Sequence, residues 1–152
     1  MTIIEEASKH PERIANKVAD YSKFVEDAAV FFDMDGVRLE QLCKKHAQNV
    51  YETSRRISEM KALEEYYLTQ LSKIESAHWK KYNEKYSRAL STKDIQAYIA
   101  GEPDYVTMKE LSLEISFVKN QLEQVLDALN GMSFMLNNIT KLRVAELEDV
   151  IL

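Results

Sequence analysis

From Met108, the apolar side chains Leu111, Ile115, Val118, Leu122, Val125, Leu129, Met132, Leu136 and Ile139 follow one another at alternating steps of three and four. That spacing repeats every seven residues and lays a continuous stripe along one side of an α-helix. At about 1.5 Å per residue, the stretch from Asp104 to Arg143 would run roughly 60 Å. A compact globule of this chain length has a radius of gyration of only about 15 Å. The helix is therefore expected to overhang whatever one chain folds around it. Burying ten such side chains contributes on the order of 15–30 kcal/mol gross, an upper bound because unfolded chains are partly collapsed. The stripe calls for a partner helix, from this chain or from a copy of it, and its ten positions are the expected oligomerisation residues.

Three glycines and two prolines in 152 residues leave little turn chemistry, and 30% of the side chains are charged. That composition suits an all-α chain and cannot easily supply the turns of a multi-strand sheet. Cys43 is the only cysteine, which excludes an intramolecular disulfide and suits a reducing compartment. No run of eighteen apolar residues occurs, and the opening Met-Thr-Ile-Ile-Glu-Glu lacks the form of a signal peptide. A cytoplasmic location with no membrane partner is expected. The net charge of −5 is unevenly spread: residues 1–36 carry −4, residues 37–93 carry +5 and residues 94–152 carry −6. The chain is acidic at both ends and basic in the middle, and local charge decides what docks.

Residues 1–36 read as an acidic N-terminal helical segment and residues 37–152 as a helical hairpin module. Thr2 and Glu5 fit a capping box, and Pro11 fits the first turn of a second helical piece. Ile14, Val18, Tyr21 and Val25 are amphipathic, and Asp35 is a suitable N-cap for the next helix. Residues 37–90 contain neither proline nor glycine and read as one long basic helix. Val50, Ile57, Met60, Tyr67, Leu71 and Ile74 keep its three-four spacing, but the same register includes Thr53, Glu64 and His78. Residues 91–103 hold a short helix, opened by Ser91 with Asp94 and closed by Gly101, and then a corner. Residues 104–146 form the oligomerisation helix, folded back against residues 37–90. The architecture expected is thus an elongated helical hairpin of two long helices with a short N-terminal helical region, assembling through a C-terminal heptad helix. Asn130-Gly131 interrupts that helix, but the stripe keeps its register across the pair. A kink or a close helix approach is the reading, at a cost of about 1 kcal/mol relative to alanine.

Three constellations could carry chemistry. Val30-Phe31-Phe32-Asp33-Met34-Asp35-Gly36 resembles the first motif of haloacid-dehalogenase-type phosphatases, in which one aspartate attacks and the second, two residues on, acts as acid and base. That chemistry needs the ends of a parallel sheet, and everything downstream reads as helix. We read the segment as an apolar anchor with a cap; no catalytic residue and no cofactor is expected. Cys43 and His46 lie three apart on one helical face, but a closed zinc site takes four ligands, and no metal is expected.

The third constellation is basic and aromatic. Lys73, Lys80, Lys81, Lys85, Arg88 and Lys93 gather within a short stretch, opposed by Glu75 and Glu84 and interleaved with Trp79, Tyr82 and Tyr86. Phosphates want the cations, and unpaired bases stack on aromatic faces for about 1–3 kcal/mol each. The same residues also suit a helix whose aromatics are core and whose lysines are a solvated face.

The order of these features resembles the UvsY-like recombination mediators of T4-like phages. Val30-Phe31-Phe32-Asp33, Leu39 and Asn49-Val50 fall like that family's early segment. Trp79-Lys80-Lys81-Tyr82-Asn83-Glu84-Lys85-Tyr86-Ser87 falls where the family carries a basic stretch running into Tyr-Ser. Leu126-Asp127-Ala128-Leu129, Gly131, Ile139-Thr140-Lys141-Leu142-Arg143 and Glu146 resemble its C-terminal helix. The likeness covers residues 28–147. It departs at Lys85-Tyr86-Ser87-Arg88, where the family has Tyr-Tyr-Ser-Gly, and in residues 1–27, which are longer than the family's start. The resemblance implies a helical homo-oligomer, a ring of about six or seven copies, that binds single-stranded DNA. It would help load a RecA-like recombinase onto strands covered by single-strand-binding protein, with Lys80 and Lys81 among the DNA contacts. A structural coiled-coil protein for phage assembly, with no nucleic-acid role, is the alternative.

Overall fold

The computed structural model describes residues 1–85 and 89–151, with side chains described through residue 146. The described residues are mostly helical, without a strand, so the all-α expectation holds. Helix α1 (Ile3–Lys9) is followed by a 3₁₀ turn at Pro11–Arg13, α2 (Ile14–Asp27) and a second 3₁₀ segment at Ala28–Phe32. Two long helices, α3 (Leu39–Lys85) and α5 (Pro103–Ile151), are separated in sequence by α4 (Thr92–Ala100). No described helix is long and apolar enough to cross a membrane.

Local chemistry accounts for most of these boundaries. The Glu5 backbone N–H donates to Thr2 Oγ1 at 3.2 Å, and the Thr2 N–H donates to Glu5 Oε2 at 2.9 Å. This reciprocal pair satisfies donors that the first turn of α1 would otherwise leave orphaned. The Asp94 N–H donates to Ser91 Oγ at 3.1 Å and opens α4. Gly101 follows α4 as expected but is right-handed, with φ −95°. Asp35 does not cap α3. Its N–H donates to Asp33 Oδ1 at 3.1 Å, a side-chain turn that Gly36 completes at φ +70°. An L side chain is disfavoured there, and helix begins only at Leu39.

The chain partitions into two compact units, and α2, α3 and α5 contribute to both. The first comprises Met1–Val18 and Glu59–Phe117. Its interior holds Ala7, Ile14, Met60, Leu63, Tyr67, Leu71 and Ile115, with Ile95 and Ile99 from α4. Ser116 donates to Glu64 at 2.7 Å, and His78 bonds Asp104, so α3 and α5 run antiparallel here. Lys17 bonds Glu6 at 3.0 Å and lies 4.0 Å from Glu59, joining α1 and the start of α2 to α3. The hydrogen bond from Lys17 holds the Glu6 carboxyl below the usual carboxylate range.

The second unit comprises Ala19–Ser58 and the described part of Val118–Leu152. Leu42, Met132 and Leu136 form a cluster on which Phe32, Met34, Val37 and Leu39 pack. His46 Nε2 and Ser133 Oγ share a hydrogen bond of 2.7 Å. Thr53 is fully buried and donates to the Asn49 carbonyl at 2.7 Å. Cys43, on the same stretch of α3, is exposed.

The heptad stripe is spent inside the chain. Ile115, Val118, Leu122, Leu129, Met132 and Leu136 are buried, and Met108, Leu111, Val125 and Ile139 are half-buried. This corrects the expectation that the stripe is too long for one chain to cover. α3 has 47 residues, and within each unit its contacts bring it against the α5 stripe. A different row of α5 meets solvent: Leu113 and Phe117 in the first unit, and Phe134, Met135 and Leu142 in the second. The helix runs through Asn130-Gly131 without a break. Gly131 is exposed, and a Cβ there would meet nothing within 4 Å, so no close approach requires it.

Candidate nucleic-acid interface

The basic and aromatic residues lie in the first unit, on the last turns of α3 and on α4. Lys73, Lys80, Lys81, Lys85 and Lys93 are all exposed. Lys73 and Lys80 are seven apart and share one row of α3, while Lys81 and Lys85 form a neighbouring row. Among the described residues, Lys73, Lys80, Lys85 and Lys93 pair with no carboxylate. Lys81 is engaged: its Nζ lies 4.0 Å from Glu102 Oε1 and 5.6 Å from the centre of the Tyr82 ring. Tyr86 and Arg88 lie outside the described residues.

The aromatics divide differently from the expectation. Tyr82 is buried in a cluster with Ile95 and Ile99, donates its hydroxyl proton to Glu102 and stacks on Tyr98 at 5.5 Å and 25°. It is a core residue and presents no open face to a base. The reason is that α4 docks on it, which the spacing within α3 cannot reveal. Trp79 is half-buried and packs against the same cluster. It also borders a cleft of about 260 Å³ lined by Glu75, Gln96, Ile99, Ala100 and Tyr105. Burial, then the nearby Glu75, pushes the Tyr105 phenol up. Tyr98, 49% exposed, carries the open aromatic face. Sequence reasoning missed Tyr98 and Tyr105, although the buried register of Ile95 and Ile99 already set Tyr98 on the flank of α4.

Beside the lysines, three further side chains converge. His78 Nε2 lies 2.8 and 3.0 Å from the two oxygens of Asp104, and its Nδ1 lies 3.8 Å from Glu102 Oε1. The bond from His78 holds the Asp104 carboxyl below the usual carboxylate range. Cys43 and His46 form no such group, because Cys43 points to solvent and His46 is bonded to Ser133.

The arrangement offers exposed ammonium groups for phosphate oxygens and an aromatic-walled cleft for a planar ring. Comparison of the chain with protein-family models, with curated proteins and with solved structures finds no match.

Proposed function

We propose that this chain is a single-stranded-DNA-binding recombination mediator that helps load a RecA-like recombinase onto strands covered by single-strand-binding protein. The observation that carries the reading is the placement of Lys73, Lys80, Lys85 and Lys93. They are exposed, lack carboxylate partners among the described residues, and share the end of α3 and α4 with the Trp79 and Tyr105 cleft. Cations that are not neutralised within the fold are the ones that release counterions from a phosphate backbone. Aromatic side chains between them favour unstacked bases over duplex. The likeness in feature order to UvsY-like mediators points to the same role.

Such a role needs no catalysis by the chain. Several copies of a weak patch on one strand gain affinity by effective concentration and compete with the covering protein. Each chain is read as a helical hairpin within a homo-oligomer. Since the heptad stripe is occupied inside the chain, the apolar row at Phe134, Met135 and Leu142 is the surface we assign to assembly.

Fluorescence anisotropy of a labelled oligonucleotide at several salt concentrations tests the reading. Single strands should be preferred over duplex. Lys73→Ala with Lys80→Ala should flatten the salt dependence by about 1.4 log units per log unit of salt for each subunit engaged, at about 0.7 per phosphate lost. Lys81→Ala, already neutralised in part by Glu102, should do less. A folded double variant with unchanged affinity and slope would remove this stretch from the DNA site.

A further inference from the structure

We propose that His78, Glu102 and Asp104 form a binding site for a divalent transition-metal ion of the zinc type, clipping the end of α3 to the start of α5. The proposal rests on side-chain geometry and not on the DNA reading.

His78 comes from α3, Asp104 from the first turn of α5 and Glu102 from the corner just before it. One ligand atom from each lies within 4.8 Å of the other two. Bonds of about 2.0–2.2 Å to nitrogen and carboxylate oxygen then require inward shifts of less than about 1 Å. The donor set is one imidazole and two carboxylates, which suits zinc, cobalt or manganese better than the oxygen-only preference of calcium or magnesium. Among the described residues, this is the one group of three such side chains placed to share an ion.

The surroundings hold the donors in place. The Tyr82 hydroxyl donates to Glu102, and the Tyr105 N–H donates to Asp104 Oδ1 at 2.8 Å. Partners of this kind orient a ligand and hold its free lone pairs towards an ion. The side chains of His78 and Glu102 are only 15% and 18% exposed, whereas Asp104 is 56% exposed. Two donors are thus fixed and the third forms an open side through which an ion can enter. Three protein ligands leave positions for water. Among the described residues, Lys81 at 4.0 Å is the ammonium close to these carboxylates, so an ion would supply positive charge where one lysine now does. The imidazole stays neutral on binding: its one ring proton exchanges through solvent to the nitrogen turned away from the ion, and the other nitrogen offers its lone pair to the metal.

Calorimetric titration with Zn²⁺ tests this in a Cys43→Ser background, which removes the exposed thiol. One ion per chain should bind, and the unfolding temperature should rise with free Zn²⁺. Co²⁺ in place of Zn²⁺ should give visible absorption bands of a nitrogen- and oxygen-ligated ion. His78→Gln, which can still donate to Asp104, should weaken binding by more than about tenfold and abolish those bands, a larger loss than removal of an outer-shell partner causes. Asp104→Asn, at the exposed position, is the second variant should the first fail to fold. Binding no tighter than to surface carboxylates, or equal binding by a folded variant, would overturn the proposal.

Discussion

The guanidinium of Arg56 sits 4.0 Å from the centre of the Phe24 ring, and the Tyr21 ring lies 5.2 Å from it on α2. Its Nη1 also donates to the Glu52 carbonyl and carboxylate, at 3.1 and 2.6 Å. One planar cation thus joins α2 to α3 within the second unit. Arg56→Met keeps the aliphatic stem and should cost about 1–2 kcal/mol from the lost ring contact and hydrogen bonds. Arg56→Lys should lose nearly as much, since an ammonium does not lie flat on a ring. Urea denaturation followed by circular dichroism measures both.

Glu52 is held below the usual carboxylate range by hydrogen bonds from Arg55 and then Arg56. A depressed folded value means a stabilising contribution that is present above the unfolded value of 4.5 and is lost as pH falls through the folded one. Glu52→Gln should remove that part of the acid sensitivity while leaving the rest. Carboxyl-carbon NMR through an acid titration reads the site directly, and denaturation at a series of pH values reads its consequence.

Gly131→Ala should stabilise the protein by about 1 kcal/mol. The residue is helical and open space surrounds the position of a new Cβ. A thermal melt showing an unchanged or lower midpoint would mean that the glycine serves a contact outside a single chain.

Tyr67 is buried, and its hydroxyl has no hydrogen-bond partner among the described residues. Burial pushes its phenol up to about 12. Absorbance titration should therefore show a late step that is missing in Tyr67→Phe, while the raised Tyr105 phenol remains in that variant. The raised folded value means that stability is complete below the unfolded value of 10.0 and declines as pH climbs towards about 12. Tyr67→Phe should be neutral or more stable by up to about 1 kcal/mol, because it removes an unpaired buried hydroxyl.

Phe134→Ser with Met135→Ser should lower the assembly state of the proposed homo-oligomer without unfolding the chain, since both side chains are exposed in one copy. Leu129→Asp, at a fully buried position, should unfold it, at a cost of several kcal/mol. Sedimentation equilibrium and circular dichroism on the same samples separate the two outcomes.

The features legible in the sequence are those whose partners are near along the chain. Thr2 with Glu5 and Ser91 with Asp94 are three-residue hydrogen-bond patterns, and both form. The α5 stripe is legible as a stripe, but what covers it is not. α3 carries Thr53, Glu64 and His78 in its seam register, which makes the seam look loose. Each of these polar groups has a partner: Asn49 for Thr53, Ser116 for Glu64 and Asp104 for His78. Two of the three partners sit on α5, far along the chain, so the pairing cannot be read from α3 alone. Tyr82 illustrates the same limit. A tyrosine among lysines reads as a stacking platform until α4 is placed over it, and Glu102, twenty residues on, receives its proton. Asp35 fails as a cap because the turn through Asp33 and Gly36 delays the helix to Leu39, and Arg38, whose carbonyl accepts from the Leu42 N–H, stands at the position before its first turn.

Cys43 is the sole thiol of the chain and it faces solvent. Maleimide chemistry can therefore place a single dye on each copy without any engineered substitution. Stepwise photobleaching of single particles then counts chains directly, and the number of steps becomes the subunit number. Two dyes of different colour, mixed before assembly, would report exchange of copies between particles as energy transfer. The fold has left one uniquely addressable atom on its surface, and whatever particle these chains build can be tallied through it.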